Sequence, residues 1–170
     1  MSTKDGSSGV PSGQGEKVLN ELIAAWLKTD EHSRTLLAAI DLESLLLSPR
    51  PRARSIGKMF AHLVSVRLRR VGLIGGPGYL EEIEPLAEGD EESRDVLDSA
   101  LRTSAELVAR LARERLSDGK TVEGFAGGVP AFLAYLSAHD AHHRGQILAL
   151  LAHEKVKVSD EVAYGIWDWS

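Results

Sequence analysis

Apolar residues recur every three or four positions through four long segments of this chain, and this spacing constrains the fold more than any other feature. The segments run over about residues 16–46, 55–71, 91–116 and 130–154. We find no convincing alternation of the kind that a β-strand shows. Four long helices in succession predict an all-α fold, an antiparallel four-helix bundle. The glycine-containing stretch 72–90 predicts a long connection between helices two and three, which would allow one crossover.

The ends of the chain differ in composition from the helical segments. Residues 1–15 are rich in Gly and Ser and contain no hydrophobic stretch of the kind a signal peptide has. We therefore expect a flexible N-terminal tail there, followed by a single domain over residues 16–170, since 170 residues is the size of one ordinary domain. We expect Trp167 and Trp169, close to the C-terminus, to be packing anchors.

Charge and cysteine content exclude several classes of protein. The net charge is −5, whereas a nucleic-acid binder normally carries a basic face. No apolar run reaches the roughly 18 residues that a membrane helix needs. Cys is absent, so any thiol chemistry must use a thiol that arrives as a substrate. We expect a small-molecule substrate, no nucleic-acid or membrane partner, and a cytoplasmic location, with which a Cys-free chain is compatible.

Three of the six histidines crowd into the run A-H-D-A-H-H-R-G-Q, which ends at Gln146. His139 and His143 are four residues apart, so on a helix they lie one turn above the other. At about 100° per residue, His143 lies about 40° from His139, and Phe132 and Leu150 lie about 20° from it. Both histidines thus fall within the apolar stripe, and His142 falls on its shoulder.

Two histidines in an apolar stripe need partners, because an unpaired buried polar group costs free energy. A metal ion would satisfy one nitrogen of each ring, and hydrogen bonds to neighbouring groups would do so equally. His62, on the second helix with Met59 and Val66, could face the pair across the bundle. Three imidazoles with one open position are the arrangement of a catalytic metal site. Both interpretations, metal ligands and hydrogen-bonded core histidines, remain open on the residues alone.

Other polar residues near this run have less specific roles. Arg144 falls off the core stripe, so we expect a salt-bridge partner rather than a catalytic group, whereas Gln146 is a candidate polar group beside the site. Ring-orienting acceptors could come from three acids: Asp140, Glu43 and Glu154. We expect His32 to be exposed and His153 to lie at the C-terminus of the last helix, and assign a metal role to neither of these two.

These residues carry a family resemblance. The run H-D-A-H-H-R-G-Q, the lone histidine in M-F-A-H-L-V-S-V-R and the terminal Y-G-I-W-D-W resemble the DinB-like superfamily of damage-inducible proteins. The resemblance implies a four-helix bundle whose metal ion is held by His62, His139 and His143, and a tendency to form homodimers. It also implies chemistry with a low-molecular-weight thiol, such as bacillithiol, mycothiol or glutathione.

Imidazole ligands suit zinc, nickel, iron and copper, and of these ions we expect zinc or nickel. The function we predict is a metal-dependent transferase that joins a low-molecular-weight thiol to a small electrophile. The alternatives are a metal-dependent hydrolase, a non-catalytic metal-binding stress protein, and a metal-free helical dimer.

Overall fold

The structure is a computed structural model that describes residues 12–81, 83–117, 121–165 and 169. Within these residues the fold is all-α, as predicted, with four long helices and one short one. The helices are α1 (Ser12–Ala39), α2 (Ile56–Gly75), α3 (Arg94–Ser117), α4 (Gly128–His153) and α5 (Asp160–Tyr164). Short 3₁₀ turns at Glu43–Leu46, Pro77–Leu80 and Asp90–Glu92 connect them.

Most helix positions agree with the sequence prediction, and the boundaries differ by a few residues. Ser55 is the N-cap of α2, because its hydroxyl accepts a hydrogen bond from the Lys58 N–H. The first predicted helix is too long at its end, since α1 stops at Ala39 and the remainder forms a 3₁₀ turn. α1 begins at Ser12, inside the stretch predicted to be a tail, and residues 1–11 lie outside the described part.

The connection between α2 and α3 is long, as predicted. It contains a short 3₁₀ turn at Pro77–Leu80, where a proline occupies the first turn. Glu91 and Glu92 precede α3 in a separate 3₁₀ turn instead of belonging to the helix.

The four long helices pack so that α1 and α2 each contact both α3 and α4. Consecutive helices α1 and α2 therefore occupy opposite corners of the bundle. No helix in the described ranges is long and apolar enough to cross a bilayer.

Among the described residues the core consists of two apolar clusters, one toward each end of the bundle. One cluster is centred on Trp26, Val108 and Phe132, and the other includes Phe60 and Leu151. Burial of this apolar surface is the main force that holds the helices together. Between the two clusters lies a layer of buried polar groups, and this layer borders the histidines.

Candidate metal centre

His62, His139 and His143 converge at the contact between α2 and α4. One nitrogen from each ring lies within 4.8 Å of the others. The ring centroids are 5.3 Å apart for His62 and His139, 5.0 Å for His62 and His143, and 4.7 Å for the pair on α4. The structure thus brings together the same three residues that the sequence singled out.

The triad lies at the edge of the core rather than at its centre. His143 is 8% exposed, and the side chain of His139 is 17% exposed. Buried Leu133 and Leu151 widen the apolar face of α4 on the side away from His139. The sequence analysis placed the centre of the apolar stripe of α4 close to the histidines, whereas the structure places that centre nearer Ile147. An edge position leaves the rings accessible to a small molecule.

The surroundings of the triad keep two of its rings neutral. Burial is the largest cause and the charge of Arg54 the next of a shift that lowers the pKa of His62 from 6.5 to about 4. Burial and then the proximity of His139 also lower the pKa of His143, although the hydrogen bond that the His143 ring donates to Gln146 opposes the shift. A neutral imidazole has a free lone pair, which is the form that binds a metal ion.

A hydrogen bond fixes the orientation of the His143 ring. Its Nδ1 lies 2.8 Å from Oε1 of Gln146, one turn further along α4. Because an amide oxygen can only accept, Nδ1 carries the proton and Nε2 is left with its lone pair free. Gln146 was predicted as a polar group near the site, and it contacts one of the three rings directly.

Asp140 lies beside Nδ1 of His139, as Gln146 lies beside Nδ1 of His143. Its Oδ1 lies 3.6 Å from Nδ1 of His139, and neither of these buried atoms has another hydrogen-bond partner among the described residues. A small rotation of the ring would join the two atoms and leave Nε2 of His139 free. Of the three acids proposed as ring-orienting acceptors, Asp140 is the one beside the triad, and Glu43 and Glu154 are exposed.

The other oxygen of Asp140 belongs to a buried ion network that the sequence analysis missed. Arg67 is completely buried and donates to Asp140 at 2.5 Å and to Asp30 at 2.7 Å. It also donates to the Leu101 carbonyl oxygen and the Ser104 hydroxyl on α3. One guanidinium thereby connects all four long helices.

Electrostatics within this network keep both members charged. Burial is the largest single effect on the pKa of Asp140 and raises it, but the charge and hydrogen bond of Arg67, the proximity of His139 and the charge of Arg144 together hold that pKa below its ordinary value. Burial alone would lower the pKa of Arg67, and the carboxylates of Asp140 and Asp30 reverse the direction. A fixed, charged Asp140 is therefore available beside His139.

The structure agrees with the prediction for His142 and disagrees with it for Arg144 and His32. His142 is exposed beside His143 and is not part of the triad. Arg144 was predicted to lie off the core, but it is buried and donates to Thr29 and Ser33 on α1 because the buried face of α4 is wider than expected. His32 was expected to be exposed and is buried, with an edge contact to Trp169.

The C-terminal tryptophans were predicted to be packing anchors. Trp169 remains 57% exposed while it contacts His32, and Trp167 lies outside the described residues.

The model of the DinB family matches residues 13–154, which include all four long helices and the three histidines. This chain belongs to the DinB family. No curated protein and no solved structure matches it. Its membership confirms the resemblance noted in the sequence, and the histidine triad gives this DinB family protein a place for a metal ion.

Proposed function

We propose that this DinB family protein holds a divalent metal ion through His62, His139 and His143 and transfers a low-molecular-weight thiol to a small electrophile. The observation that supports the proposal is the convergence of three ring nitrogens within 4.8 Å at the accessible edge of the core. Three protein ligands leave a position free for a substrate, unlike the four of a structural site.

The residues present fit such an ion. The donors are imidazoles, which suit zinc and nickel. The lowered pKa values of His62 and His143 keep those rings neutral at ordinary pH, and Gln146 fixes the tautomer of His143. The unpartnered Nδ1 of His139 faces the unpartnered oxygen of Asp140, which supplies the acceptor that a metal-binding histidine usually has.

When bound, the ion supplies a positive charge that lowers the pKa of a thiol or a water molecule at its open position. The chain contains no Cys, so the sulfur comes from a substrate. In the reaction, the thiol gives its proton to solvent and its sulfur forms a new bond to an electrophilic carbon. The leaving group departs with the electron pair of the bond that breaks.

The test uses glutathione, mycothiol and bacillithiol with 1-chloro-2,4-dinitrobenzene, and mass spectrometry to detect the conjugate. We expect the zinc- or nickel-loaded protein to form conjugate with at least one thiol, and His143→Ala to reduce the rate by about 100-fold or more. His142→Ala is the matched control, because His142 is exposed and lies outside the triad. Equal rates for wild type and His143→Ala would contradict the proposal.

A further inference from the structure

The loop between the first 3₁₀ turn and α2 carries three arginines at alternate positions. We call residues 48–55, with the sequence S-P-R-P-R-A-R-S, the arginine loop. Arg50, Arg52 and Arg54 are all exposed. None of them forms an ion pair with an acid among the described residues, whereas nearby Lys58 is paired with Glu91. The loop therefore presents three uncompensated positive charges.

Hydrogen bonds hold the arginine loop in a fixed shape. The Ser48 hydroxyl bonds the carbonyl oxygens of Arg50 and Ala53, at 2.9 and 3.2 Å. The Ile56 N–H donates to the Leu47 carbonyl oxygen at 2.9 Å and closes the base of the loop. Arg52 has a φ of 68°, a left-handed conformation that costs a non-glycine residue free energy. The arginines are thus displayed on an ordered segment.

These arginines line a cleft that opens onto His143 of the triad. The cleft has a volume of about 930 Å³, and its walls include the three arginines together with His143 and Gln146. This volume is in the range of small-molecule sites. Arg54 is near enough to the rings for its charge to act on both His62 and His143.

A second cavity lies on the other side of Arg54 and reaches His62. It has a volume of about 620 Å³, and apolar side chains such as Leu68, Ile83 and Leu86 form much of its wall. An anion entering the site would therefore favour the first cleft, where unpaired arginines are concentrated.

The charge of the cleft is opposite to that of the whole chain. The protein carries a net charge of −5, yet the described residues that line this cleft include three arginines and neither Asp nor Glu. A concave surface of one sign attracts small ions of the opposite sign. Arginine is suited to a carboxylate, which it can bind through two parallel hydrogen bonds.

We propose that Arg50, Arg52 and Arg54 bind a carboxylate of a small-molecule substrate in this cleft and hold the substrate beside His143. The proposal rests on the proposed function for the reaction that follows, but the carboxylate site itself requires no metal. The arginine loop would then determine substrate specificity.

The first experiment measures succinate binding to the metal-free, full-length protein by calorimetry at low salt. The test variant is R50Q/R52Q/R54Q, and the control K17Q/R113Q/K157Q removes the same charge from exposed residues that do not line the cleft. We expect the test variant to lose about tenfold or more in affinity and the control to retain wild-type affinity. Absence of succinate binding to wild type, or an equal loss in both variants, would overturn the proposal.

The second experiment compares two thiols of similar size with the zinc-loaded protein: mercaptosuccinate, which carries carboxylates, and the neutral 3-mercapto-1,2-propanediol. Wild type should bind mercaptosuccinate about tenfold more tightly, and R50Q/R52Q/R54Q should lose this preference. A preference that survives in this variant would overturn the proposal. If succinate binds as expected but no conjugate forms with any thiol, the proposed transferase fails and the carboxylate site stands.

Discussion

At Arg67 the bundle buries a complete positive charge and compensates it with two carboxylates from different helices. Asp30 comes from α1 and Asp140 from α4, and both lie within hydrogen-bond distance of the guanidinium. Removing one member of a buried ion network leaves the others uncompensated. The stability of the bundle and the charge on Asp140 beside His139 therefore depend on the same residue.

We expect Arg67→Met to lower the free energy of unfolding by about 3–5 kcal/mol, because both carboxylates would remain buried without their partner. Urea denaturation of the metal-free protein measures the change. Arg69→Met, at an exposed position on the same helix, is the control and should alter stability by about 0.5 kcal/mol or less. Equal stabilities for the two variants would contradict the account of the network.

Gln146 permits a test of ring orientation that leaves the three histidines intact. Gln146→Leu removes the acceptor for Nδ1 of His143, so metal affinity should fall about 10- to 100-fold, with little effect on folding. Gln146→Glu keeps an oxygen acceptor and should retain most of the affinity. Competition with a zinc chelator measures both values, and unchanged affinity in Gln146→Leu would show that this hydrogen bond does not orient the ring.

At the scale of a helix, α2 is positioned by a close approach to the 3₁₀ turn before α3. Gly57 lies in the first turn of α2, and a Cβ there would overlap the carbonyl oxygen of Glu91. Gly145 on α4 has no atom within 4 Å of the place where its Cβ would be. The structure therefore excludes a side chain at Gly57 and leaves space for one at Gly145.

Gly57→Ala should reduce the free energy of unfolding by about 1–3 kcal/mol, because the backbone must shift to accept the methyl group. Gly145→Ala should raise it by about 0.5–1 kcal/mol, because alanine is the better helix former. Thermal and urea unfolding of the two variants check the signs. A stabilised Gly57→Ala protein would show that α2 and Glu91 are not in close contact.

The helices and the pair of histidines on α4 were predictable because both follow from spacing within one helix. His139 and His143 are one turn apart on α4, and the helical angle alone placed them together. Arg67 was missed, although Leu63, Arg67 and Val71 recur at four-residue intervals and all are buried. That spacing was the available signal. The partners on α1 and α4 are distant in sequence, and their meeting depends on how the helices pack.

At the scale of the whole molecule, the depressed histidine pKa values link stability to pH. His62 has a pKa of about 4 when folded and 6.5 as its reference value, so the unfolded chain binds more protons between these values. The lowered pKa of His143 acts in the same direction. The metal-free protein should therefore lose stability as the pH falls from 6.5 toward 4.

His62→Gln should make this loss shallower, since the glutamine side chain does not titrate. Urea midpoints at about pH 7.5, 6.0 and 5.0 give the slopes. Identical slopes for wild type and His62→Gln would contradict the lowered pKa of His62.

Homodimer formation stays a prediction at this scale.

The most direct test of the central claim is the metal content of the full-length protein, purified without a histidine tag and reconstituted with zinc or nickel. We predict about one ion per chain for wild type and for His142→Ala, and loss of the ion when His62, His139 or His143 is replaced by alanine. Less than about 0.1 ion per chain in the reconstituted wild type would contradict the account.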